Sequence, residues 1–166
     1  AEARALRGGE MKKVFLLLAA CLLAACAAKP PKPEPARARL VASGEVNPDA
    51  SGRASPIVVR LFQLRAEGEF AGAEFFDLYS KEKEVLGESL VSREEYVLTP
   101  GETRALEIPL NAQTRYLGVL AAYRDIRAAQ WRVVTRAPEK TLTDLLGKDG
   151  VTITLDKDAV GLSIKD

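Results

Sequence analysis

The chain is 166 residues of 18.0 kDa, 47% hydrophobic and 28% charged, a composition that suits one globular domain with a sizeable core. Bases and acids nearly cancel, 24 against 23, so no positive surplus exists to neutralise phosphates and nucleic acid is not expected as a partner. There is no histidine, which closes the commonest routes to catalysis, Ser-His-Asp and Cys-His, and His-ligated metal centres; enzymes without histidine exist, but no catalytic, cofactor or metal site is expected.

Met11 is followed by Lys12, Lys13 and an apolar run over residues 14–25. As a helix this run is about 18 Å long, against about 30 Å of hydrocarbon, so it reads as a secretory signal peptide and not as a membrane span. It ends in Leu23-Ala24-Ala25-Cys26, which resembles the lipobox of bacterial lipoproteins. Leu18-Ala19-Ala20-Cys21 spells the same letters, but it would leave only residues 14–17 as apolar core, below the roughly 7 residues such a leader needs. Cys26 is therefore the expected lipidation site, with cleavage just before it. Three acyl chains exceed the two-signal threshold for stable anchoring, and this covalent lipid is the only non-protein group expected.

Residues 1–10 carry acids ahead of the cationic start and are expected to lie upstream of the true first residue, outside the fold. Removing residues 1–25 takes four bases (Arg4, Arg7, Lys12, Lys13) and two acids (Glu2, Glu10), moving the formal side-chain charge from +1 to −1. Cys26 is then the only cysteine left, which leaves no partner for a disulfide. Ala27 after it, by analogy with other lipoproteins of two-membraned bacteria, points to the outer membrane facing the periplasm. Residues 26–37 hold Pro30, Pro31, Pro33 and Pro35 and read as an extended tether reaching about 34 Å.

From residue 38 to 166 the period is two. Residues 40–46 form a moderate strand. Residues 57–64 form a strong one, with Ile57, Val59 and Leu61 on one face and Val58, Phe62 and Leu64 on the other, as for a central strand covered on both sides. Residues 96–98 lead to the turn Pro100-Gly101, and Leu106, Ile108 and Leu110 alternate with residues suited to water. Residues 116–123 are the most apolar stretch, followed by strands at 131–135, 151–155 and 160–164. Seven or eight short strands with turn residues between them read as an all-β, two-sheet β-sandwich. Short helical insertions interrupt it: Phe75, Leu78 and Tyr79 share one helical face, and Leu142, Leu145 and Leu146 repeat the spacing more weakly before Gly147.

One loop stands apart. Asn47, Pro48, Asp49, Ala50, Ser51, Gly52, Arg53, Ala54, Ser55 and Pro56 join the first two strands, where a tight hairpin needs two to five residues. Polar composition with two prolines suits a displayed recognition element and equally suits a tolerated insertion. Other groupings have plainer readings. Gly68 to Gly72 is expected as a loop, Lys81 to Glu84 as a solvated mixed-charge loop, and Glu94-Glu95 and Asp156 to Asp158 as turns or solvated faces. Tyr123 is expected to pack at a strand end, with Arg124 and Asp125 satisfying loop backbone, and Trp131 to be a core or rim aromatic.

Several unrelated segments now agree in order and spacing: Val46-Asn47-Pro48-Asp49, Gly52-Arg53, Ser55-Pro56-Ile57-Val58-Val59-Arg60, Gln63-Leu64, Phe75 to Tyr79, Tyr116 to Val119, Ala121 to Asp125, and Trp131-Arg132. With the lipobox and the proline-rich tether, these resemble the type VI secretion lipoprotein family TssJ, also called SciN or VasD. The resemblance implies a transthyretin-like β-sandwich held in the outer membrane by its lipid. It implies binding to the periplasmic C-terminal domain of the inner-membrane subunit TssM and, through it, association with TssL. The family's partner-contacting element is the loop between the first two strands, which maps onto residues 47–56. Two other classes compete: a pilotin or assembly chaperone for an outer-membrane component, and a small-ligand-binding sandwich lipoprotein.

Overall fold

The computed structural model describes residues 35–137 and 150–164, all within one compact unit spanning residues 33–166. Within them the period-two segments become eight strands in two four-stranded sheets. In chain order these are β1 (Ala36–Ala42), β2 (Ile57–Leu64), β3 (Leu90–Leu98), β4 (Thr103–Ile108), β5 (Tyr116–Ala121), β6 (Arg132–Arg136), β7 (Val151–Leu155) and β8 (Val160–Ile164). One sheet has the order β4-β1-β7-β8 and the other β3-β2-β5-β6. All the pairings are antiparallel except β1 with β7.

The core lies between the sheets, where alternate residues of facing strands meet. Leu40, Ile57, Val59, Val119, Ile153 and Leu155 are completely or almost completely buried there. Each such side chain contributes about 1.5–3 kcal/mol through removal from water. The first strand begins earlier than expected and takes Ala36 and Arg37 from the predicted tether, because Ala38, Leu40 and Ala42 alternate inward while Arg37 and Arg39 stay exposed. It also stops earlier, and Val46 is buried beyond its end as a loop residue.

The second face of β2 is covered by helices, as its apolar pattern requires. Between β2 and β3 lie α1 (Gly68–Gly72), α2 (Phe75–Ser80), α3 (Glu82–Leu86) and a 3₁₀ turn (Gly87–Ser89). Phe62, Leu64, Phe70, Phe75, Leu78, Leu86 and Leu120 form a second buried cluster beneath them. The stretch from Gly68 to Gly72 is thus a helical turn and not a loop. Its glycines face open space, and Phe70 between them anchors it 5.3 Å from the Phe62 ring. Trp131 meets Phe75 edge-on at 5.2 Å, a rim aromatic that touches both clusters.

Lys81, Lys83 and Glu84 are exposed, as a solvated segment requires, but residues 82–84 are helical and Glu82 turns toward the sheet. Arg60 sits on the helix-facing side of β2, where an uncompensated cation would be costly, and Glu82 of α3 supplies a counter-charge at 3.1 Å. Arg60 also reaches Glu95 at 2.7 Å and the Tyr79 carbonyl at 2.6 Å, while Arg93 bridges Glu82 and Glu95. Glu95 thereby belongs to an ion-pair network, and the Arg60 guanidinium holds its carboxyl below the usual carboxylate range. The weak helix predicted around Leu142 to Leu146 lies outside the described residues.

Gly118 of β5 has a steric role. A Cβ there would stand 2.9 Å from the Phe70 ring and 3.2 Å from Leu64. Gly118→Ala is expected to destabilise the domain by about 1–3 kcal/mol in denaturant unfolding, although alanine is normally the better residue inside a strand. A gain in stability would contradict this packing.

Candidate partner-binding site

The chain reaches the domain at Ala36, paired with Ile108, and leaves β1 at Ala42, paired with Leu155, so the β1–β2 loop emerges at the other end of the sandwich. Six rises of about 3.3 Å put some 20 Å between the two ends. Three other connections share the loop's end: residues 99–102, 122–131 and 156–159.

The β1–β2 loop is built as a small irregular hairpin. The Ser55 amide donates to the Val46 carbonyl at 3.0 Å, and the Asp49 amide to the Arg53 carbonyl at 2.8 Å. At the tip, Asp49 Oδ1 accepts from the amides of Ser51 (2.8 Å) and Arg53 (3.0 Å), and Oδ2 accepts from Arg53 Nε at 2.8 Å. These bonds, led by the one from the Arg53 amide, hold the Asp49 carboxyl below the usual aspartate range. Gly52 adopts φ 76°, a left-handed conformation that glycine takes without strain and that closes the turn. The Arg53 side chain remains 80% exposed.

Not every residue of the predicted loop faces outward. Asn47 and Ser55 are buried, and Asn47 is the hinge-pin of this end of the molecule. Its backbone is left-handed (φ 51°), its amide donates to the Lys157 carbonyl at 3.0 Å, and Nδ2 donates to the Pro56 carbonyl at 2.8 Å. Oδ1 accepts from the Arg124 amide at 2.7 Å. One buried amide thus joins the loop to the β5–β6 and β7–β8 connections. Pro48, Asp49, Ala50, Ser51, Gly52, Arg53, Ala54 and Pro56 supply the accessible surface.

The neighbouring connections are equally well held. Tyr123 packs at the end of β5 with its hydroxyl donating to the Asp156 carbonyl at 3.2 Å; burial raises its pKa above the usual tyrosine value. Asp125 Oδ1 accepts from the Ala128 amide at 3.3 Å, and the Gln130 amide donates to the Asp158 carbonyl at 2.8 Å. The Ser43 carbonyl receives the Gly101 amide at 3.1 Å. Residues 122–131 and 156–159, of which the sequence marked Arg124, Asp125 and Asp156 to Asp158 as loop or turn residues, therefore adjoin the predicted loop on one surface. Between them lies a cleft of about 160 Å³. No helix among the described residues is long and apolar enough to cross a membrane. Cys26 lies outside the described residues.

The family model for type VI secretion lipoproteins (VasD, EvfM, TssJ) matches residues 34–158. The chain belongs to this family. It is similar to the type VI secretion lipoprotein TssJ1 from Pseudomonas aeruginosa, with 36% identity, 80% of this chain and 98% of that one covered, and a TM-score of 0.70. It is also similar to Serratia marcescens Lip, a membrane-bound component of the type VI secretion system, at 28% identity, 78% and 97% coverage and a TM-score of 0.67. A chain in a structure described as the TssM C-terminal domain from EAEC shares the fold at 21% identity, 78% and 97% coverage and a TM-score of 0.60. No curated protein matches the sequence. Type VI secretion lipoproteins are secretion components and not enzymes.

Proposed function

We propose that this type VI secretion lipoprotein is held in the outer membrane by lipid on Cys26, faces the periplasm, and binds the periplasmic domain of a TssM-type inner-membrane protein. Through that protein it associates with TssL and anchors the membrane complex of the secretion system. No chemistry is catalysed. The observation that carries this reading is the braced β1–β2 loop: exposed, ordered before any partner arrives, and placed at the end of the sandwich farthest from where the tether joins. A loop already held in one shape loses little conformational entropy on binding.

The anchor half of the proposal is tested by fractionation. Wild-type protein is expected in the outer-membrane fraction, and Cys26→Ser is expected in the soluble periplasmic fraction, folded but without secretion activity. Retention of Cys26→Ser in the membrane would overturn the assignment of the lipid. The partner half is tested by co-purification of the TssM-type protein with the lipidated chain, and its absence would overturn that half.

A further inference from the structure

The two sheets differ in what covers them. Helices α1 to α3 lie over the outer face of the β3-β2-β5-β6 sheet, and their residues join its second buried cluster. The outer face of the β4-β1-β7-β8 sheet is bare among the described residues: Arg37, Arg39, Thr103, Ala105, Glu107 and Ser163 all stand exposed on it. Apart from Glu107, the outward residues of β4, β7 and β8 are short and uncharged, so Arg37 and Arg39 rise from a flat surface. Arg37 stands across from Glu107 in the β1–β4 register, while Arg39 has Ala105 and Thr152 as its neighbours.

These arginines sit where the tether joins the domain. Residues 26–39 hold Lys29, Lys32, Arg37 and Arg39 against Glu34, a formal charge of +3. With −1 for residues 26–166 as a whole, residues 40–166 carry −4. The opposite face has the opposite balance. Residues 65–89 expose six acids and three bases, with Arg136 exposed at the sheet edge. Arg60 and Arg93 beneath them are engaged by Glu82 and Glu95, and Arg132 donates to the Phe70 and Ala73 carbonyls.

We propose that the outer face of the β4-β1-β7-β8 sheet lies on the membrane that holds the lipid, with Lys29, Lys32, Arg37 and Arg39 on anionic phospholipid headgroups. This inference rests on the lipid reading above. The lipid brings an anionic surface to the one uncovered sheet face, and that face presents long cations at the point of attachment. Each cation at such a surface multiplies the membrane-facing population roughly fivefold. The lipid then fixes where the domain is and the cations fix how it is turned, with the strands running along the membrane and the β1–β2 loop presented sideways.

The test uses the full-length lipidated chain in vesicles whose headgroups carry a quencher. Cys26 is taken by the lipid, so one introduced cysteine can be labelled with a fluorophore, either Ala105→Cys on the bare sheet face or Phe76→Cys on the helical face, where the native side chain is 70% exposed. In vesicles containing phosphatidylglycerol, quenching at position 105 is expected to exceed that at position 76 about threefold. The difference is expected to vanish in phosphatidylcholine vesicles and at about 1 M salt, where screening shortens to about 3 Å. Lys29→Glu with Lys32→Glu, outside the strands, and Arg39→Glu, with its melting temperature checked, are each expected to reduce it severalfold. Equal quenching at the two positions in phosphatidylglycerol vesicles, or a difference that survives high salt and the charge reversals, overturns the proposal. A chain that stays with neither kind of vesicle overturns the lipid reading, and this inference with it.

Discussion

Asn47→Ala is expected to destabilise the domain by about 3 kcal/mol, which lowers Tm by about 10 °C. The side chain is buried and satisfies two backbone groups, the Pro56 carbonyl and the Arg124 amide, which would lose these partners in a part-buried site. Alanine would also have to adopt φ 51°, a left-handed conformation that asparagine tolerates better. Asn47→Gly separates the two costs, since glycine takes the angle freely but makes neither bond. It is expected to fall between wild type and Asn47→Ala in denaturant unfolding. Equal stability of all three proteins would show that Asn47 does not brace this end of the sandwich. Partner affinity should fall with Asn47→Ala even where the protein remains folded, because the loop base is then free to pivot.

Asp49→Ala is expected to weaken partner binding about tenfold while leaving thermal stability close to wild type. The Asp49 carboxylate touches only its own loop, through the Ser51 and Arg53 amides and the Arg53 guanidinium. Its removal leaves the core intact and releases the tip, so the ordering cost moves from folding to association. Asp49→Asn retains a side-chain oxygen for the two amides but loses the charge opposite Arg53. It should recover part of the affinity in calorimetric titration. Wild-type affinity for Asp49→Ala would mean that the tip is not part of the interface, and a large drop in Tm would mean that the residue serves the fold instead.

The sandwich was legible because alternation survives wherever one face of a strand is buried and the other is wet. Val151, Ile153 and Leu155 show it cleanly, and β7 has the bounds their pattern marks. The start of β1 was harder to read because its inward residues Ala36 and Ala38 are small and the preceding prolines blur the boundary. The helical layer was read only in part. Phe75, Leu78 and Tyr79 carry a helical spacing, whereas α1 depends on one anchor, Phe70, against the gap left by Gly118, a tertiary contact with no local pattern. The ion pairs of Glu82 and Glu95 with Arg60 likewise join residues far apart in the chain.

The candidate site was readable as a loop and not as a surface. Length, proline content and polarity single out residues 47–56, but nothing local shows that Asn47 turns inward or that the connections at residues 122–131 and 156–159 stand beside it. Those neighbours follow from strand direction. β1, β3, β5 and β7 all end at the same pole, so their connections meet there.

The central claim is that the β1–β2 loop grips a TssM-type periplasmic domain. Its most direct test is calorimetric titration of that domain into the lipoprotein, comparing wild type with a deletion of residues 49–54, each checked for a cooperative thermal transition. The account predicts micromolar or tighter binding by wild type and none detectable by the folded deletion. Equal affinity of the two folded proteins would contradict it.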